Sequence, residues 1–377
     1  MNFVKTKTEV FDLLDNYINE NISKYSFKRN FDFGPSDRTN VSMISPYLSH
    51  RIVTEYDVIK RVLEEKSLTS VEKYIQEIFW RLYWRGWLES RPQVWDNFVC
   101  ELKLIEKDEN YNKAISGSTD IECFNDWVAE LKKTGYLHNH TRMWFASIWI
   151  FTLNLHWQLG AELFLKYLHD GDSASNTLSW RWVAGLQTRG KNYLAKRWNI
   201  EKFTNGRYNP DNLNESAEPL EDSRNYAFSK LSYTSPSFES ESIVIFDNEL
   251  NTDLAHVSNY KNAYICLLSN SERQIELSDK NIAYKNDVVD ELIKNESFQF
   301  SKINGSDLLS LVKSNEKVHF AYPGVGDNLD FLSSNLSVNS LSFIKRQEDL
   351  YCSKFSNKGF FNFKKNIPKI INELDLS

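Results

Sequence analysis

All eleven tryptophans of this 377-residue chain lie between Trp80 and Trp198, and none follows. With its largest apolar side chains confined to a third of its length, the chain is expected to build two differently made parts rather than one uniform core. Charge divides at the same place. The part through Arg207 carries a net +2 and the remainder −8, which together give the −6 of the whole chain. From Tyr208 to Ser240, Pro210, Pro219 and Pro236 stand among Asn, Glu and Ser with little periodicity, the composition of a connector. The expected organisation is a first domain over residues 1–208, a linker over 209–240 and a second domain over 241–377.

Composition then narrows the class. A chain with 41% apolar and 25% charged residues is neither disordered nor collagen-like. The longest apolar stretch, Met143 to Leu155, already contains Ser147, Thr152 and Asn154, short of the roughly 20 apolar residues of a membrane helix. Residues 1–30 carry Lys5, Lys7, Glu9, Asp12, Asp15 and Glu20, which leaves no room for a signal-peptide core. Cys100, Cys123, Cys266 and Cys352 are far apart with no CxxC pair, so neither a disulfide framework nor a local zinc site is expected. The expectation is a soluble, cytoplasmic, monomeric protein without a metal.

The first part reads as helical. Thr69-Ser-Val-Glu72 has the form of a capping box and predicts a helix from Ser70 to about Glu89, stopped by Pro92. Val53 to Leu63, Phe124 to Lys133, Met143 to Leu155 and Gly160 to Leu168 also keep helical spacing. No strand is expected before residue 240. Beyond it, Ser242 to Phe246, Ala263 to Leu268, Lys317 to Ala321 and Ser340 to Ile344 are short β-rich runs. Helix-like stretches at Asp287 to Lys294 and Ser306 to Val312 stand between them. That alternation predicts a parallel α/β sheet.

Three constellations could carry chemistry. Tyr74, Glu77 and Arg81 share one helical face, where Glu77 and Arg81 are placed to pair, beside an aromatic face of Trp80, Trp84 and Trp87. Taken alone, this is equally a solvated ion pair beside a core stripe. In Gly135-Tyr-Leu-His-Asn-His-Thr-Arg-Met143, His138 and His140 lack any further ligand at zinc spacing and read as satisfied loop histidines. Asn139 and Arg142, three apart, can both face a polar ligand, Arg142 as a fork suited to a carboxylate. Asp170-Gly-Asp172 lacks the further oxygens of a calcium loop and reads equally well as a cap for a helix entered at Ser173.

Taken together and in order, the segments Ser42-Met-Ile-Ser-Pro-Tyr-Leu48, Glu77-Ile-Phe-Trp-Arg81, Tyr136 to Met143 and Asp170 to Trp182 resemble the FAD-binding domain of the cryptochrome/photolyase family, from about Gly34 to Tyr208. The resemblance implies an all-α FAD-binding domain of photolyase type, followed here by a smaller α/β, Rossmann-like domain. It implies non-covalent FAD held by Ser42, Ser45, Tyr74, Glu77, Arg81, Tyr136, Asn139, Arg142, Asp170, Asp172 and Asn176. In it Arg142 and Asp170 form an internal ion pair, and Asn176 faces the flavin. Glu77, Trp80, Asn139, Met143 and Trp182 match residues that contact a pyrimidine dimer flipped from UV-damaged DNA. Trp180 and Trp157 match the first two members of an electron-transfer chain whose third member is unassigned, with Trp149 and Trp95 as candidates.

Departures from the family pattern are equally specific. Histidines stand at the Asn139 and Met143 positions in members acting on (6-4) photoproducts, so this chain has the cyclobutane-dimer pattern. His140 and Met43 replace arginines common in relatives. The family's antenna domain normally precedes the FAD domain. Here Ile243 to Leu250 resembles the first antenna-domain strand, and Glu348 to Lys365 resembles the run that closes that domain, which implies a permuted order. No antenna chromophore is assigned. The function implied is light-driven reversal of cyclobutane pyrimidine dimers by electron transfer from reduced FAD, the work of a deoxyribodipyrimidine photolyase. Retained Glu77, Trp80, Asn139, Met143 and Trp182 favour it. The modest +2 of the first part and His140 favour the alternative, a cryptochrome-like blue-light receptor without repair activity, and a third, blander reading is a flavoprotein whose second domain binds a protein partner.

Overall fold

The computed structural model describes residues 3–229, 240–255, 257–296, 298–314, 317–337 and 340–377. Twelve α-helices precede the first described strand: α1 Lys7–Glu20, α2 Tyr25–Lys28, α3 Ser45–Ser49, α4 Glu55–Glu65, α5 Leu68–Glu89 and α6 Gln93–Leu102. There follow α7 Glu109–Ser116, α8 Glu122–Thr134, α9 Asn139–Ser147, α10 Trp157–Tyr167, α11 Ser173–Val183 and α12 Arg197–Phe203. The 22-residue α5 is the axis of this layer, touched by α2, α4 and α11. It is buried along Val71, Tyr74, Ile75, Ile78, Phe79 and Leu82, the three- and four-residue spacing of a core-facing stripe.

Two local expectations are corrected. The capping box at Thr69 is absent, because α5 starts at Leu68 after Ser67, which puts Thr69 inside the first turn. A reciprocal box does exist one helix earlier, where Thr54 and Asp57 cap α4 at 2.8 and 3.1 Å. The predicted helix from Met143 to Leu155 is α9 followed by a wider π-turn over Ile148–Thr152. Residues 208–229 lie along the helical layer without regular structure, held by Leu220 N–H to Ala184, Ser229 N–H to Ser90 and the buried pair Arg181–Asp222 at 3.1 Å. The rest of the predicted linker, residues 230–239 with Pro236, lies outside the described residues.

The second part is a five-stranded sheet, every described pairing parallel, in the order β3-β2-β1-β4-β5. Its strands are β1 Ser242–Phe246, β2 Asn262–Cys266, β3 Phe300–Ile303, β4 Val318–Ala321 and β5 Ser342–Ile344. Central β1 is buried at every residue, as a strand covered on both faces requires, and pairs Val244 with Tyr264 on one side and Phe320 on the other. The edge strand β3, Phe-Ser-Lys-Ile, was not expected, since two polar residues in four hide its β-character. Helices α13 Asp279–Asn295, α14 Gly305–Lys313 and α15 Asp327–Asn335 connect the strands.

After β5 the chain leaves the sheet. Helices α16 Gln347–Ser353, α17 Phe360–Lys364 and α18 Ile367–Glu373 follow it, and α16 and α17 pack on α5. The span expected as one α/β domain, 241–377, therefore ends in a segment that completes the helical layer. The crevice where the strand order reverses, between the carboxyl ends of β1 and β4, is where open α/β sheets usually take ligands. Here the helical layer fills it. The His50 ring bridges the carbonyls of Asp247 and His169 at 2.6 and 3.1 Å, and fully buried Arg51 reaches Glu249 at 3.0 Å and Asp349 at 2.6 Å.

Candidate functional site

The predicted residues converge where α5, α9 and α11 meet the segment carrying α3. Arg142, one turn into α9, reaches Asp170 just before α11, Nη2 to Oδ2 at 2.8 Å. Ser45 Oγ donates to the same carboxylate oxygen at 2.5 Å. Burial pushes the Asp170 carboxyl up, but Arg142, the Ser45 hydroxyl and Arg81 outweigh it and hold the group below the usual range. Its other oxygen, Oδ1, is buried without a hydrogen-bond partner. Asp172 caps α11 by accepting from Ser175 N–H at 2.8 Å, so the capping reading of Asp170-Gly-Asp172 holds for this residue. The same carboxylate lies 2.9 Å from Arg81.

Glu77 and Arg81 do not pair. Glu77 takes Arg29 at 2.8 Å, while Arg81 is held between Asp172 and Glu55, the latter at 3.4 Å. Helical spacing reveals only neighbours on one helix, and here partners from α4, α11 and the end of α2 are better placed. Burial raises the Glu77 carboxyl against the pull of Arg29 and Lys73, the opposite direction from Asp170. The site thus holds two carboxyls whose surroundings shift them in opposite directions.

His138 and His140 are both buried, which lowers both imidazoles and favours the neutral form. The satisfied reading fits His140 but not His138, whose Nδ1 accepts from His140 N–H at 3.2 Å while its Nε2 has no partner. His140 stacks on Trp144 at 4.3 Å. Its ring nitrogens lie 2.8 Å from the Asn30 carbonyl and 3.2 Å from the Tyr193 hydroxyl, which fixes Nδ1–H as donor and Nε2 as acceptor. The residue in the arginine position is therefore packed inward and joins the loop after Arg29 to Tyr193, which stacks on Trp182 at 5.8 Å. Asn139 is exposed at the start of α9, and Met143 is half-buried. Tyr136 sits between the guanidinium groups of Arg38 and Arg142, 5.9 and 5.2 Å from its ring centre. Tyr74 donates to Ser42 Oγ at 2.9 Å, and Asn176 donates to the Ala161 carbonyl at 2.9 Å, farther along α11.

Trp80 differs from its expectation as an open stacking surface. Phe360 of α17 lies 3.5 Å from it, centroid to centroid, at 12°, so one indole face is already covered. Trp180 is buried, with Phe145, Trp149 and Phe164 as ring neighbours at 6.4, 6.3 and 5.1 Å. Trp157 stacks on Phe98 at 5.4 Å, and Phe98 in turn lies 5.3 Å from Trp95. Both candidate third indoles, Trp149 and Trp95, are themselves buried. Sequence reasoning missed Arg29, Glu55 and the buried group Asp32–Arg38–Glu130, with Thr141 donating to Asp32 at 2.6 Å behind Tyr136. Arg29, Glu55 and Glu130 are joined to their partners only through the fold, and the six-residue spacing of Asp32 and Arg38 signals no chemistry by itself.

The family described as the FAD binding domain of DNA photolyase matches residues 74–217. The match runs from Tyr74 past Trp182 and so contains most of the site, but not Ser42 or Ser45. The chain is 27% identical over 212 residues to the deoxyribodipyrimidine photo-lyase of Buchnera aphidicola subsp. Baizongia pistaciae, covering 50% of this chain and 42% of that protein. It is 32% identical over 149 residues to the deoxyribodipyrimidine photo-lyase of Streptomyces griseus, covering 39% and 32%. The crystal structure of a bacterial class III photolyase from Agrobacterium tumefaciens superposes with a TM-score of 0.46 at 24% identity, over 53% of this chain and 43% of that one. The chain thus spans less than half the length of the curated relatives it matches.

The photolyase-type residues fit a flavin on one structural ground. Buried Asp170 Oδ1 is an acceptor lacking a donor, and the indole N–H of buried Trp180 is a donor lacking an acceptor. A cavity lined by Arg81, Asp172, Asn248 and Pro323 adjoins this site where it meets the ends of β1 and β4; at about 30 Å³ it has room for little more than water. No described helix is long and apolar enough to cross a membrane, and no group of three His, Cys, Asp or Glu among the described residues could hold a metal.

Proposed function

We propose that this chain is a light-driven DNA-repair flavoprotein that reverses cyclobutane pyrimidine dimers. The observation that carries the reading is the contrast between the two carboxyls. Asp170 is paired with Arg142 and has one buried oxygen unmatched, while Glu77, paired with Arg29 at 2.8 Å, stands at the half-exposed edge of the same site, where burial raises its carboxyl. The photo-lyase names of the relatives that share this segment support it. In this reading Ser42, Ser45, Tyr74, Arg81, Tyr136, Arg142, Asp170, Asp172 and Asn176 hold FAD, and Asp170 Oδ1 accepts from it. Bound and reduced, FAD would supply an electron to the dimer under light and take it back once the ring has opened.

The protein's own residues position and polarise. Glu77 donates to the flipped bases and stabilises charge arriving on them, an interaction that strengthens along the reaction. Trp182, stacked on Tyr193, offers an aromatic wall, and Asn139 and Met143 fit a cyclobutane dimer rather than a (6-4) product. Because one face of Trp80 is taken by Phe360, Trp80 can contribute only its remaining surface. An antenna chromophore and a role for Trp180 and Trp157 in flavin reduction stay part of the proposal.

The test is reversal on oligonucleotides carrying either lesion, using purified protein loaded with FAD, reduced, and assayed in light and dark. Light-dependent loss of cyclobutane dimers alone is expected. Glu77→Ala should lower reversal per bound dimer by about tenfold or more, as loss of a transition-state hydrogen bond predicts. No reversal of either lesion by protein holding reduced FAD would overturn the reading in favour of a blue-light receptor.

A further inference from the structure

Between Asp349 and Glu373 the chain has no acidic residue but five lysines, Lys354, Lys358, Lys364, Lys365 and Lys369, within a second part that is otherwise acidic. This segment returns to the helical layer and is fixed there by Phe360 on Trp80 and by Phe363, 6.0 Å from Phe79. Lys354, Lys358, Lys365 and Lys369 are exposed, and none has a carboxylate within ion-pair distance among the described residues. Lys354 lies over the Tyr351 ring at 5.1 Å, and Lys364 pairs with Glu72 at 3.4 Å. Phe361, between the two anchoring phenylalanines, points outward and is 83% exposed.

Across α5 stands a matching edge. Helix α2 packs on α5 through Tyr25 against Tyr74, 5.1 Å apart, and through Arg29 on Glu77. It leaves Phe27 79% exposed between the exposed Lys24 and Lys28. Tyr74 and Glu77 face α2, whereas Phe79 and Trp80 face α17. The strip of α5 between them, with exposed Lys73 and half-exposed Glu77 four residues apart, therefore runs as a floor between two rims. Each rim presents one exposed aromatic ring among lysines, Phe27 with Phe31 beside it at 6.5 Å and Phe361 outward from α17.

We infer that α2, the Lys73–Glu77–Trp80 strip of α5 and the α17 segment form a docking surface for a nucleic-acid strand with unpaired bases. The lysines take phosphates, and Phe27 and Phe361 stack bases on either side of the lesion position. Uncompensated cations give sequence-independent attraction to a backbone, and single exposed rings spaced among them match base faces. A protein partner would instead call for a continuous apolar patch, and here the neighbouring phenylalanines are spent on anchoring α17. The inference rests on the repair reading for its choice of nucleic acid, and it explains how bases are held although Phe360 covers one face of Trp80.

The experiment measures binding of undamaged fluorescent oligothymidylate to the full chain by anisotropy across a salt series, with a duplex of equal length and anionic phospholipid vesicles as rival probes. Oligothymidylate should bind more tightly than duplex. Phe361→Ser and Phe27→Ser, both at exposed positions, should each weaken it by about 5- to 100-fold. Lys365→Glu with Lys369→Glu should lower the salt slope by about 1.4. Equal binding by the variants, tighter binding of duplex, or binding of vesicles alone would overturn the inference. Reversal of a dimer in a bare dinucleotide, too short to reach the rims, separates the two readings. If it proceeds while these variants leave oligothymidylate binding unchanged, the repair site stands and the docking surface falls.

Discussion

The seam between the helical layer and the sheet and the candidate flavin site are both built from buried charge, yet they are finished differently. At the seam, Arg51 is fully buried among Glu55, Glu249 and Asp349, and Asp247 is held by Lys285 at 2.8 Å and Arg273 at 3.2 Å. Asn328 donates a further hydrogen bond to Asp247 at 2.8 Å. Protein groups supply the counter-charges from both sides of the seam, so these pairs fix one part against the other. At the candidate site the Arg142 side chain remains 21% exposed, and Asp170 keeps an oxygen with no partner. Buried ion pairs alone therefore do not mark a binding site. An unpartnered atom does not either, since Arg51 Nε and Glu55 Oε2 in the seam also lack a hydrogen-bond partner. The candidate site is set apart by an arginine that stays partly open to solvent.

The widest separation between the two regions should come from removing each arginine. Arg51→Met strips Asp349 of its guanidinium and leaves Glu55 and Glu249 to their outer partners Arg81 and Arg346, and should cost on the order of 3–5 kcal/mol, read as a lowered urea midpoint. Arg142→Met should cost about 1–3 kcal/mol, because Ser45 still donates to Asp170 and the site is partly open. Its main effect should be loss of bound flavin, measured by absorbance after gel filtration. Equal stability losses, with flavin retained in Arg142→Met, would erase the distinction.

A second test concerns Asp330 at the start of α15, which accepts the indole N–H of Trp95 across the seam at 2.7 Å. Burial pushes its carboxyl up to about 7, only partly offset by that hydrogen bond. Folded protein then holds this proton more tightly than the unfolded chain, so the contribution to stability is present at low pH. It is lost as pH rises from about 4 through 7. Between pH 5 and 8 the wild type should lose about 2 kcal/mol relative to Asp330→Asn, a figure reduced from the full shift for partial exposure. Parallel urea-midpoint curves for the two proteins would contradict this.

The smallest effect separates a real cap from an apparent one. Thr54→Ala, which removes the box on α4, should cost about 1 kcal/mol. Thr69→Ala, within the first turn of α5, should stay within about 0.5 kcal/mol. Thermal denaturation of the pair would suffice, and a larger loss for Thr69→Ala would restore the cap read from the sequence.

These contrasts also show what was legible beforehand. The motif order exposed the residues around Arg142 and Asp170, since both sit in short local patterns. The β-rich runs exposed four of five strands, because strands buried on both faces are continuously apolar. Edge strand β3, with Ser301 and Lys302, carries no such mark. The pairing of Glu77 with Arg29 and of Arg81 with Asp172 could not be read, because each joins residues that only the fold brings together. The return of α16 and α17 to α5 was hidden for the same reason. Phe360 and Phe363 read as apolar residues, and nothing in their spacing names the helix they cover.

That return has a consequence for how the chain is made. Helix α5 is among the earlier elements to be synthesised, but its Phe79, Trp80 and Tyr83 receive their cover from Phe360 and Phe363. Some 280 residues separate the two. While the sheet is still being translated, the early helices must wait with an aromatic face open to water, a condition that slows assembly and invites wrong partners. The helical layer can close only after the sheet has been synthesised and residues 347–373 have followed it. Chaperone demand during synthesis should therefore track the time taken to translate the sheet, and not the length of the helical layer itself.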